Sequence, residues 1–293
     1  MNTLTRKEFI RTIGISAAAL TLHGVKINFA KLELPKIGLQ LYTVRKHLEK
    51  SFEDTIKKIA SIGYYGVETY TLPENITLNQ AAKIIKSYKL EVLAMHSELP
   101  VDKNRDFTLK MADAYNSNIV VYHGWPQDDK YKTKDSIKRT AELYNEISHF
   151  LRTKGLTFAL HNHWWEFEKH NDYYPFYYLL ENLDKDIIFE IDTYWAKTAG
   201  YDPVKAVKDF GARAPLLHIK DGNAIKGEES YKQVPAGKGV MNFPEIINSG
   251  IDTIKWLIVE FDEYSNDIFS GIKDSYEYLY KNNLGTGKIE VKK

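Results

Sequence analysis

The chain has 293 residues, 43% hydrophobic and 27% charged, with a formal net charge of +1. These are ordinary globular values, and a charge near neutrality gives no electrostatic basis for binding nucleic acid or an anionic membrane surface. The absence of cysteine excludes disulfides, thiolate zinc sites, cysteine nucleophiles and a lipoprotein anchor.

Residues 1–30 differ from the rest. Arg6, Lys7 and Arg11 form a basic start, and residues 13–22 (IGISAAALTL) are small and weakly apolar. That is the layout of an export signal, with an apolar stretch too short to span a bilayer. It resembles the twin-arginine type, with Arg6-Lys7 where two arginines would stand. The expectation is a periplasmic or otherwise exported protein. The alternative is a cytoplasmic protein with a disordered or amphipathic N-terminus.

From residue 36 onward, short apolar runs alternate with amphipathic stretches. Residues 36–44 (KIGLQLYTV) read as a first strand. Residues 51–62 place Phe52, Ile56, Ile59 and Ala60 at helical spacing, with Ser51 as N-cap, Asp54 three residues on and Gly63 as the stop. Further strands are expected at 66–70, 91–96, 118–123, 157–163, 187–192, 215–220 and 255–260. Further helices are expected at 78–88, 107–115, 134–154, 175–183, 203–210, 243–249 and 268–280. Thr77 or Asn79 would cap the helix at 78–88, and Asp202-Pro203 opens the one at 203–210. The strands are near-continuous apolar runs, as parallel strands buried on both faces are. Alternating units of this kind with no linker predict a single-domain α/β fold, a (β/α)8 barrel over residues 31–293. An open doubly wound sheet is the alternative, but no glycine fingerprint follows the first strand.

In such a barrel, chemistry sits at the C-terminal ends of the strands. Those ends read Gln40 and Tyr42, Glu68, His96, His123, His161 and His163, Asp192, His218 and Lys220, and Glu260. Residues two apart on a strand face the same way. His161 therefore shares a face with His163, Glu190 with Asp192, and His218 with Lys220. Inward-pointing His161, Asp192, His218 and Glu260 on four successive strands would meet around one cation. Mixed imidazole and carboxylate ligands suit Mn, Co, Zn, Fe or Mg. Each residue also has a plainer use: Asp192 as a helix cap, Glu260 as part of a solvated acidic run, Lys220 as a salt-bridge partner.

Several segments carry a resemblance. Ile37-Gly38-Leu39-Gln40-Leu41-Tyr42-Thr43-Val44-Arg45, His161-Asn162-His163 with Glu166-Phe167, Ile191-Asp192-Thr193-Tyr194-Trp195, Leu217-His218-Ile219-Lys220-Asp221, Pro235-Ala236-Gly237-Lys238-Gly239 and Val259-Glu260-Phe261-Asp262-Glu263 span residues 37–263. Together they resemble the xylose isomerase-like TIM-barrel sugar isomerases and epimerases, relatives of the inosose dehydratases and of AP endonuclease family 2. The resemblance implies a divalent metal held by Asp192, His218 and Glu260. His161 stands as fourth ligand where the epimerases carry a glutamate, and His163 is its substitute. It implies proton transfer next to a carbonyl, with Glu260 or a histidine as base, Lys220 on the developing oxyanion, and His163 or Glu166 supplying the missing second function. Tyr42, Trp164, Trp165 and Trp195 would line a sugar pocket, and Gln40, Glu68 and His96 would contact substrate.

The expected reaction is isomerisation or epimerisation of a free sugar or keto-sugar. A phosphorylated sugar fits poorly with export, and the only candidate phosphate cradle is Gly237-Lys238-Gly239. Alternatives are a lyase or hydratase acting on a 3-keto-sugar or glycoside, and a non-catalytic sugar-binding barrel. The expected partner is a small-molecule carbohydrate, with no nucleic acid and no stable membrane insertion. Assembly into a homo-oligomer stays open.

Overall fold

The computed structural model describes residues 33–124 and 129–288. The export signal read at residues 1–30 lies outside the described residues. Eight strands close into one parallel barrel: β1 (Lys36–Gln40), β2 (Gly66–Thr69), β3 (Glu91–Ser97), β4 (Ile119–Tyr122), β5 (Thr157–His161), β6 (Ile188–Asp192), β7 (Leu216–Ile219) and β8 (Trp256–Val259). Each pairs with its successor, and β8 returns to β1 with Lys36 opposite Trp256 and Leu39 opposite Val259. The helices between them are α1 (Arg45–Leu48), α2 (Phe52–Ile62), α3 (Leu78–Ser87), α4 (Asp102–Tyr115), α5 (Lys134–Arg152), α6 (Pro175–Asn182), α7 (Thr193–Thr198), α8 (Pro203–Phe210), α9 (Phe243–Asn248) and α10 (Ile268–Lys281).

Local chemistry sets the helix boundaries. Ser51 caps α2 by accepting the Asp54 N–H, and Gly63 ends it at φ 116°. Thr77 and Gln80 form a reciprocal capping box on α3, which satisfies amides that the first turn leaves without partners. Asp202 caps α8, with Pro203 in its first turn.

Most boundaries fall within one or two residues of the sequence reading, and three differences bear on the surroundings of the strand ends. The first strand stops at Gln40, and Leu41–Val44 coil into a 3-10 turn. The fifth strand stops at His161, two residues early. The helix expected at 107–115 starts at Asp102. Two short helices, α1 and α7, were not foreseen at all.

Alternation along the strands builds the barrel interior. Its lower part is a small apolar core of Leu93, Ala94, Val121, Ala159, Leu216, Trp256 and Ile258. The next inward positions toward the C-terminal ends are Gln40, Glu68, His96, His161, Glu190 and His218, all buried. Asp192, Lys220 and Glu260 follow above them, also buried. The outward residues pack against the helices in the larger core, which includes Ile37, Val67, Phe158, Phe189 and Leu257.

Candidate active site

The lower polar layer is a carboxylate–imidazole network. Glu68 on β2 and Glu190 on β6 are completely buried. His96 Nε2 lies 2.8 Å from Glu190 Oε2 and 3.2 Å from Glu68 Oε2. His218 Nε2 lies 2.9 Å from Glu68 Oε2 and 3.1 Å from Glu190 Oε2. The two imidazoles stack with centroids 5.8 Å apart. Gln40 Nε2 donates to Glu68 Oε2 at 2.7 Å. Burial works against charge on His96, but Glu68 and Glu190 overcome it and hold its pKa up at about 10. Burial also pushes Glu68 up. Glu190 ends well below the usual carboxylate range, because His218 and His96 outweigh its burial. Charge is tolerated at this depth because each ion has a partner.

The upper layer meets the other edge of His218. Its Nδ1 is 2.6 Å from Glu260 Oε2 and 3.9 Å from Asp192 Oδ2. Lys220 Nζ touches Glu260 at 2.9 Å, Asp262 at 3.0 Å and Asp192 at 3.2 Å. Burial raises the Asp192 carboxyl to about 6, against the pull of Lys220 and His218. Glu260 stays well below the usual range: burial opposes ionisation, and Lys220 and His218 outweigh it. Asp192 Oδ1 accepts the Trp195 N–H at 2.9 Å, so the plainer reading of Asp192 as a cap is also true of one of its two oxygens.

The remaining atoms decide what this layer fits. Asp192 Oδ2, Glu260 Oε2, His218 Nδ1 and His161 Nδ1 are buried and make no aligned hydrogen bond; they meet only as close charged pairs with one another, with Lys220 or with Glu190, and His163 Nδ1 is buried without a hydrogen-bond partner. One donor atom each from Asp192, His218 and Glu260 fall within 4.8 Å of one another, and the Nε2 of His218 is held by carboxylates behind it. A ligating histidine fixed through its second nitrogen is the usual support of a metal site. The donor set therefore fits a divalent cation.

His161 joins less directly. Its Nδ1 points to Glu190 Oε2 at 3.0 Å, and it groups with His96, Glu190 and His218 rather than with Asp192 and Glu260. Its ring is 4.6 Å from that of His218. Burial depresses His161 to about 3 and takes His163 well below its ordinary value, so both rings are neutral. His163 stacks on Trp165 with centroids 4.2 Å apart. Glu166 is buried, and its Oε2 accepts the His163 N–H at 2.8 Å, which fixes the turn that follows β5.

The expected substrate contacts are dispersed. Gln40 and Glu68 are both 0% exposed and bond to each other, with Glu68 Oε2 2.9 Å from His218 Nε2. Tyr42 sits under the Arg45 guanidinium at 3.7 Å and lines a separate cavity of about 680 Å³ with Tyr70 and Leu72. Trp195 is buried beside Tyr231, with Lys220 Nζ 5.4 Å from its ring centre. Trp164 is half-buried under Lys226 Nζ at 3.9 Å. His96 and His123 line a further cavity of about 440 Å³.

The sequence model of the xylose isomerase-like TIM barrel matches residues 56–282. The chain belongs to the xylose isomerase-like TIM-barrel family. Among solved structures, this member of the family is similar to a sugar phosphate isomerase/epimerase from Parabacteroides distasonis, with 24% identity, TM-score 0.69, and 86% of this chain and 96% of that one covered. It is also similar to an L-ribulose 3-epimerase, with 17% identity, TM-score 0.65 and coverage of 86% and 95%. A third similar structure is the IolI protein with a bound zinc atom, with 13% identity, TM-score 0.64 and coverage of 84% and 97%. At these identities the likeness is one of fold. No curated protein matches the sequence.

Two features of this xylose isomerase-like barrel escaped the sequence reading. Glu190 was seen only as the face-mate of Asp192, although period two already placed it inward. Asp221, just past β7, accepts N–H groups from Gly222, Gly237, Gly239 and Met241 at 2.9–3.1 Å. In the candidate phosphate cradle at Gly237-Lys238-Gly239, the two glycine amides are thus already held by a carboxylate, and the Lys238 amide donates to the Pro235 carbonyl. Among the described residues, no helix is long and apolar enough to cross a membrane.

Proposed function

We propose that this protein is a divalent-metal-dependent isomerase or epimerase that moves a proton next to the carbonyl of an unphosphorylated sugar or keto-sugar. One observation supports this above the others: Asp192 Oδ2, His218 Nδ1 and Glu260 Oε2 converge as buried atoms with no aligned hydrogen bond. Those three residues would hold the ion, with His161 adjacent as the fourth. A divalent ion there supplies Lewis-acid polarisation of substrate oxygens.

The chain's own groups do the rest. Glu260 is kept ionised beside Lys220 and His218, so it can accept a proton from carbon. Lys220 is held charged by three carboxylates and can donate to an oxygen that gains charge as the proton leaves. His163, neutral and half-buried with its ring stacked on Trp165, can serve as the second acid/base group, giving a proton to carbon once it has taken one up from solvent. Lysine-capped Trp164 and buried Trp195 wall the mouth. Occupation of the Gly237 and Gly239 amides by Asp221 supports an unphosphorylated substrate. So does the export reading of residues 1–30, which cell fractionation checks.

A second reading, elimination or hydration on a 3-keto-sugar, is favoured by His161. An imidazole on the fifth strand leaves one carboxylate base in the mouth, and elimination runs with one base and a separate acid. Incubating the metal-loaded protein with ketoses, inososes and 3-keto-glycosides in deuterium oxide separates the two. One deuteron gained at an inverted centre with the skeleton intact marks epimerisation, and loss or gain of water marks the second reading. No deuterium incorporation into any of them, or no divalent ion by elemental analysis, sinks the proposal.

A further inference from the structure

The cavity beside His96 has walls unlike those a bare sugar needs. Its volume, about 440 Å³, suits a small molecule. Its inner end is formed by His96 and His123, whose rings stack 6.0 Å apart. His96 stacks in turn on His218, so the cavity begins one ring away from the Asp192–His218–Glu260 cluster. Beyond the histidines the wall includes Leu72, Leu78, Phe107 and Met111 with the rings of Tyr70 and Tyr115. Of the polar wall residues, Ser97, Asn104 and Thr108 already donate to the main-chain carbonyls of Glu98, Leu99 and Asn104, and the exposed Thr71 and Glu98 complete the lining. Phe107 is 53% exposed although α4 is largely polar on its outer side.

We propose that the substrate carries an apolar substituent, an aryl or alkyl group on the sugar, and that this cavity receives it while the sugar ring lies at the Asp192–His218–Glu260 cluster. The proposal rests on the carbohydrate reading given above and specifies its substrate class. Sugar hydroxyls placed against Leu72, Leu78 and Met111 would lose water without gaining partners. An apolar group loses nothing there, and its burial is favourable in proportion to the area covered. Phe107 at the rim then has a use that its exposure in the unliganded protein does not supply.

The test is titration calorimetry of the metal-loaded protein with phenyl β-glucopyranoside and methyl β-glucopyranoside as probes. The phenyl compound is expected to bind about tenfold or more tightly than the methyl one, the scale on which hydrophobic pockets discriminate. In F107S and in L78S, with folding checked by thermal melts, that ratio falls toward one. Equal affinities in the native protein, no binding of either probe, or an undiminished ratio in both variants would overturn the proposal. Deuterium exchange into the 3-keto forms of the same two probes is read separately. Failure there with the affinity ratio intact removes the proton-transfer chemistry and leaves the subsite standing.

Discussion

His218 is the residue on which the two polar layers join. One ring nitrogen faces Glu68 and Glu190, and the other faces Glu260 and Asp192. The lower carboxylates therefore set the orientation of the upper donor atom. Removing such support typically lowers metal affinity about 10- to 100-fold. E68Q is accordingly expected to bind zinc more weakly by that factor in chelator competition, with ion stoichiometry at saturation unchanged. Lys220 poses the opposite case: it is one buried cation among three carboxylates. K220M leaves those charges without their partner, at a cost of about 3–5 kcal/mol. Urea titration should show that loss in the metal-free protein, together with loss of turnover in the loaded one. At this scale the sequence was legible in direction only. Period two pointed Asp192, His218 and Glu260 inward correctly. It says nothing of height along the barrel axis, and Gln40 and Glu68, which also point inward, lie one layer lower, against the far side of His218.

The loop after β7 shows what an element contributes. The Asp221 carboxylate gathers four main-chain N–H groups from two separate stretches. D221A would leave the buried Gly222 and Met241 amides unpaired, while those of exposed Gly237 and Gly239 turn to water, for a loss of about 3 kcal/mol, measurable as a fall in the denaturant midpoint. A weaker effect, within a few tenths of a kcal/mol, would mean that the loop finds other acceptors. Boundaries were legible wherever capping chemistry was written locally, as at Ser51, Thr77 and Asp202. They were missed where it was not. The start of α4 has no side-chain cap, Asp102 sits at φ 45°, and the polar run through Arg105 hides helical periodicity. The short helix α7 was missed although Asp192 was also read as a cap, because Thr193–Thr198 is only six residues long and starts directly at the end of β6, too short to show a helical period.

For the molecule as a whole, the barrel was readable from the number of apolar runs and the helices between them. The closing pairing of β8 with β1 is a long-range event that no local pattern records; it follows only because eight twisted parallel strands leave no better way to satisfy their edges. The groups proposed to hold an ion come from three strands, β6, β7 and β8, brought together only in the closed sheet, so occupancy and folding would be linked. A cation that binds only the folded chain stabilises it by about 2.7 kcal/mol at a hundredfold excess over its dissociation constant. Scanning calorimetry with zinc at that excess is expected to raise the melting temperature above that of chelator-treated protein. Coincident curves would mean that the ion is not held by the folded barrel.

The divided duty of Asp192 makes α7 a gauge of whatever its other oxygen touches. Oδ1 holds the Trp195 amide. One residue earlier, the Tyr194 hydroxyl donates to the Ser230 carbonyl and accepts the Ala224 N–H. A change in carboxylate orientation on one side is thereby transmitted to a segment of the rim that contains no ligand. Hydrogen–deuterium exchange of the Trp195 and Ala224 amides should slow together when zinc is added. That would let occupancy be followed in the native protein independently of any substrate.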